Sequence, residues 1–151
     1  MSYPNQKRHG GKPRQDRRRL GVTIRFTNEE GKIDADLFDK TANRVAKIVA
    51  NKNDRRASQI NKSTQLRRFY DELVMWEEKV RQDEKKFDDY LPFIRMLKAK
   101  AAYAEGRKLV DGAFVDLIEQ AIDFIKSAAD LRTAKLFFEA FMGFYKLEKG
   151  D

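Results

Sequence analysis

From residue 34 onward, apolar positions recur at spacings of three and four, and the pattern predicts five amphipathic helices. The first starts at Asp34 or Asp36 and buries Leu37, Phe38, Ala42, Val45, Ile48 and Val49. A polar connection, 51–59, follows. The second runs from Ser63 to Gln82 on a face of Leu66, Phe69, Tyr70, Leu73 and Val80, with Val74 or Trp76 filling the turn between. The third begins near Asp88-Asp89-Tyr90, where two acids suit the positive end of a helix and Pro92 is tolerated in a first turn. Its buried face is Leu91, Ile94, Leu97, Ala101 and Ala102, and Gly106 is read as the residue that closes it. The fourth buries Phe114, Leu117, Ile118, Ala121, Ile122 and Ile125. Asp130 is expected to cap the fifth, whose interior is Leu136, Phe137, Ala140, Phe141 and Phe144. Phe138, adjacent to Phe137 and off that stripe, is read as core, with contact to a partner subunit as the alternative. No strand-like run interrupts the series. The fold expected is all-α, a five-helix bundle over residues 34–149.

Ahead of the bundle the pattern changes. Residues 1–19 are rich in Gly, Pro and Arg without periodicity, which predicts a disordered basic tail. Val22, Ile24 and Phe26 alternate and suit a short extended segment laid on the body. Residues 1–33 are therefore read as a flexible tail with an extended lead-in.

Composition narrows the chemistry. The 151 residues are 41% hydrophobic, and eleven Phe and five Tyr supply the bulk to close a helical interior. No cysteine is present, so disulfides, thiolate nucleophiles and Cys-based zinc sites are excluded. The single histidine, His9, lies in the tail, so the bundle lacks a His for metal clusters, for general-base catalysis, or for the Arg–His pairs of helical ribonucleases. Asp71, Glu72, Glu77, Glu78, Asp88 and Asp89 are interleaved with Lys79, Arg81, Lys85 and Lys86, as on a solvated helix face. Gly10-Gly11 is no phosphate loop. Neither enzyme activity, a metal nor a cofactor is expected. No apolar run approaches the ~20 residues that span a bilayer, and no signal peptide is visible. A soluble, cytoplasmic chain is the expectation.

Charge is spread in blocks. Residues 1–19 hold seven basic residues against one acid, and residues 47–68 the same. Residues 69–94 come to −4, residues 95–110 to +4, and residues 111–131 to −4. One block sits where a helix does not favour it. The start of the second helix carries a partial positive charge and normally attracts Asp or Glu. Here it bears Lys62, Arg67 and Arg68, with Lys52, Arg55 and Arg56 upstream. Asn61 or Ser63 is read as its N-cap. Free amides beside like-charged side chains suit an anion, and phosphate is the usual one. Short connections make neighbouring helices antiparallel, so the end of the third helix should lie alongside, bringing Lys98, Lys100 and Arg107. Lys62, Ser63, Arg67, Arg68, Lys98, Lys100 and Arg107 are thus the leading candidates for an RNA backbone. Lys52, Arg55 and Arg56 are second-rank. On a helical wheel Arg68 points nearly away from the buried face and Arg67 lies on a flank, so the two do not share one surface.

Three stretches together resemble one family. Lys62-Ser63-Thr64-Gln65-Leu66-Arg67-Arg68-Phe69-Tyr70 is similar to the K-S-x-Q-L-R-K-F-Y signature of the small subunit of type III-A CRISPR effector complexes, the Csm complex. Residues 97–107, LKAKAAYAEGR, resemble its second block, with Ala99 where Pro is common. Residues 137–146, FFEAFMGFYK, resemble its aromatic C-terminal block. The resemblance implies a small, helical, non-catalytic subunit of an antiviral ribonucleoprotein, stacked in several copies beside larger backbone subunits. It also implies contact with the phosphates of guide RNA and target RNA, while pairing between those strands reads the sequence. The competing class is a protein–protein adaptor whose basic patch docks an acidic partner without touching RNA.

Overall fold

The computed structural model describes residues 17–151. A single wide turn, Leu37–Thr41, leads into α1 (Ala42–Ala50). A short 3₁₀ turn, Arg55–Gln59, precedes α2 (Ser63–Gln82), and another, Glu84–Lys86, joins it to α3 (Phe87–Gly106). α4 (Gly112–Phe124) and α5 (Ala128–Lys149) complete the chain. The described residues form no strand, only an isolated antiparallel bridge between Thr27 and Ile33. α5 packs against both α1 and α2, α3 pairs with α4, and α2 also meets α3. The fold is the expected all-α bundle of five helices.

The double packing of α5 explains where its sequence pattern misled. A helix flanked on two sides buries a wider arc than one stripe. Phe138 is accordingly fully buried, not turned to a partner subunit, and packs on Tyr70, Phe114 and Phe141 with ring centroids 6.3, 6.3 and 5.3 Å away. Leu136, Ala140 and Phe144, expected inside, are half-buried, and Leu131, Ala134 and Tyr145 are buried instead. Elsewhere Phe38 and Ala102 are exposed rather than buried, and Ala46 and Ala104 take core positions.

Helix ends differ from expectation in instructive ways. Ser127, not Asp130, caps α5 by accepting the Asp130 amide, while the Asp130 carboxylate accepts from Lys126 N–H. Gly106 is the last residue of α3, and the left-handed residue that turns the chain is Lys108, at φ 60°. Pro92 lies in the second turn of α3, not the first, because the helix already begins at Phe87.

A strap precedes the bundle. Leu20, Ile24 and Phe26 are buried, and Phe26 stacks on Phe124 at 4.5 Å and meets Phe137 edge-on at 5.4 Å. Side chains of α4 stand in for a neighbouring strand: Asp116 accepts the Leu20 amide, and Gln120 both accepts from Ile24 N–H and donates to Val22 C=O. Arg17, Arg18 and Arg19, read from sequence as tail, each pair with a different acid: Glu105, Asp111 and Asp116. The strap crosses the start of α4 so closely that a Cβ on Gly112 would lie 2.4 Å from the Arg18 carbonyl oxygen, and only glycine leaves that room. Residues 1–16 of the expected tail lie outside the described residues.

Candidate nucleic-acid interface

The basic ends of α2 and α3 meet because a buried asparagine holds them there. Asn61 takes a left-handed conformation, φ 53°, and its amide donates to the Leu109 carbonyl just past α3. Its side chain exchanges hydrogen bonds with Asp111, donating to Oδ1 at 2.9 Å and accepting from Asp111 N–H at 3.0 Å. Its carbonyl accepts from the Tyr145 hydroxyl, whose pKa burial pushes well above the ordinary tyrosine range. Asp111 in turn caps α4 and holds Arg18. Asn61 is therefore a hub between helices rather than the N-cap its position suggested.

The residue at the N-cap of α2 is Lys62, and its side chain makes no capping bond. The anion expected at this helix start is supplied from within the chain. The Asp151 carboxylate accepts from Ser63 N–H at 3.1 Å and from the Ser63 hydroxyl. Burial pushes the Asp151 carboxyl up, but the Ser63 bonds and the Lys149 charge outweigh this and hold it below the ordinary aspartate value. Lys149, whose own pKa burial lowers, donates to the Ala57 and Ile60 carbonyls and fixes the turn ahead of α2.

The candidate cations divide into two flanks. Arg68, Lys100 and Arg107 line one groove between α2 and α3, together with Gln65, Glu72 and Tyr103, enclosing about 190 Å³. Lys100 bonds Glu72 at 2.5 Å, whereas Arg68 and Arg107 form no ion pair among the described residues. Tyr103 is 68% exposed, and the Arg107 guanidinium lies 5.8 Å from its ring centroid. On the other flank Arg67 lies beside Ser63, Lys146 and Asp151, with Asp71 3.9 Å away. Lys98 turns to α4 and pairs with Asp123, away from the groove. Lys52 and Arg55 stand near Glu148, and Arg56 is 3.8 Å from Asp54, which caps the 3₁₀ turn. The geometry brings Arg68, Lys100 and Arg107 together; it does not add Lys98, Arg55 or Arg56 to them.

Sequence reasoning passed over Tyr103. Its signal was present: an aromatic between Lys100 and Arg107 on a position that the apolar face of α3 does not use. Three of the six helix-face carboxylates are drawn into ion pairs, Asp71 with Arg67, Glu72 with Lys100 and Glu77 with Arg81. Among the described residues no three His, Cys, Asp or Glu side chains group as a metal site would require. No helix among them is long and apolar enough to cross a membrane.

Comparison with known proteins fixes the family. The profile of the Csm2 Type III-A family matches residues 32–151. The chain belongs to that family. No curated protein and no solved structure matches it. Csm2 membership makes the chain a small subunit of the type III-A Csm complex, with the other Csm subunits as its partners. The Csm2 match contains the whole bundle and every candidate cation. It starts beyond the strap, at residue 32, so the strap's arginine pairs lie outside it.

Proposed function

We propose that this Csm2-family subunit binds RNA without catalysing a reaction, lying in several copies along a cytoplasmic antiviral ribonucleoprotein and gripping the backbone of guide and target RNA. One observation carries the reading. Two helix ends that need not have met are held together by Asn61 and Asp111, and Arg68 and Arg107 stand exposed there, in no ion pair among the described residues. Uncompensated guanidinium groups on a shared groove suit phosphate oxygens in fork geometry. Lys62 and Arg67 extend the same basic end around α2, and Lys100 keeps Glu72 from repelling an approaching phosphate. Ser63 joins as a phosphate donor when Asp151 gives way.

The test is RNA crosslinking of the assembled complex with guide and target bound, read by peptide mass spectrometry. Crosslinked peptides spanning residues 62–68 and 98–107 are expected. Crosslinks confined to residues 1–19, or missing from this subunit, would remove the bundle from the RNA track. A second reading, the protein–protein adaptor, draws on Phe93 and Met96, 54% and 51% exposed on α3, with Phe93 stacked beside Trp76 of α2. Under that reading, assembly with the other subunits proceeds without RNA.

A further inference from the structure

Backbone contact does not account for Tyr103. Among the described aromatic residues it is the most exposed, although the chain covers nearly all the others. The groove around it combines charged and polar side chains, Arg68, Lys100, Glu72, Gln65 and Arg107, with an apolar floor of Phe69, Ala104 and Leu109. The groove's volume of about 190 Å³ falls below the roughly 300–1,000 Å³ of small-molecule sites, so it suits a single planar group rather than a whole ligand. A ring 68% exposed, with the Arg107 guanidinium over it at 5.8 Å from its centroid, is the arrangement that takes a nucleobase with its flanking phosphates.

We propose that the α2–α3 groove holds one unpaired nucleotide, its base stacked on Tyr103 and its flanking phosphates on Arg68 and Arg107. The inference rests on the RNA reading above and adds to it a preference for single strands. A base inside a duplex has both faces covered by its neighbours, so Tyr103 reaches only a base that has left the stack. The Glu72–Lys100 pair and the Gln65 amide present donors and acceptors at the rim, where a base edge or a ribose 2′-hydroxyl lies. Stacking tolerates any base, so the preference is for the unpaired state and not for a sequence.

The experiment uses the full chain with a 12-nucleotide single-stranded RNA and a blunt RNA duplex, reading Kd by fluorescence anisotropy across a salt series. Tyr103→Leu is expected to weaken single-strand binding about tenfold, within the range for loss of one base–aromatic stack, and to leave the salt slope and duplex binding unchanged. Tyr103→Phe keeps the ring and is expected to stay within about twofold of the unaltered chain. A 2-aminopurine in the single strand should lose fluorescence on binding the unaltered chain and keep it on binding the Tyr103→Leu variant. Unaltered affinity in Tyr103→Leu, with Arg68→Glu still weakened, would overturn the stacking site and leave the backbone reading standing. Equal loss on single strand and duplex would also overturn it, by showing a role other than stacking. No loss in Arg68→Glu or Arg107→Glu, or no binding by the unaltered chain, would overturn the RNA reading and this inference together.

Discussion

Individual cations on this surface are not equivalent, and their partners say why. Arg68 forms no ion pair among the described residues, so its charge is available to a ligand; Lys98 is held by Asp123. Reversing the charge at either site changes the net charge of the chain equally, which separates local from global effects. Arg68→Glu is expected to lower RNA affinity for all sequences alike and to make the log–log salt slope shallower by about 0.7 for each phosphate no longer bound. Lys98→Glu is expected to leave that slope nearly unchanged and to alter stability by no more than about 1 kcal/mol, the range of an exposed ion pair. Anisotropy titrations across a salt series, with urea denaturation for the stability of Lys98→Glu, check both. A helical wheel alone separates Arg67 from Arg68, and the structure gives the separation a meaning: one faces α5, the other α3. That Lys100 and Lys98 were already paired was not legible, because Glu72 and Asp123 lie 28 and 25 residues from them.

At the scale of elements, α2 is the helix whose sequence spoke most clearly. Its limits, Ser63 to Gln82, and its buried Leu66, Phe69, Leu73 and Val80 follow from period and composition alone. Its cap did not, since Asp151 lies 88 residues away. The missing acid in the first turn was a true signal of an anion, and the chain carries one of its own. Because the Asp151 pKa is depressed in the folded state, its contribution is present above the ordinary aspartate range and is lost as pH falls through the folded value. Asp151→Ala is expected to cost about 0.5–1 kcal/mol at pH 7, the lower range for loss of a cap, because the site is exposed. Urea denaturation should show that difference at pH 7 and show it shrinking as the pH is taken down through the folded value. α5 was less legible than α2 because a period reveals one buried face, whereas packing on both α1 and α2 buries two.

The whole molecule is larger than its family match. Leu20, Ile24 and Phe26 close the core from outside residues 32–151. Burying such side chains is worth roughly 1.5–3 kcal/mol each, which sets the strap against a total stability of only about 5–15 kcal/mol. A chain begun at residue 32 is therefore expected to unfold at markedly lower urea or to populate a loosened state that binds hydrophobic dye. Alternation at Val22, Ile24 and Phe26 announced the strap; its partners were invisible because Asp116 and Gln120 sit on a helix whose own pattern is fully accounted for by its core.

The strap's bonds to α3 and α4 span 88 to 98 residues. During synthesis it leaves the ribosome long before its partners exist, and at ~5–20 residues per second it waits about 5–20 s for them. Three arginines stand beside its three buried apolar side chains, and like charge of that kind opposes association while the segment waits.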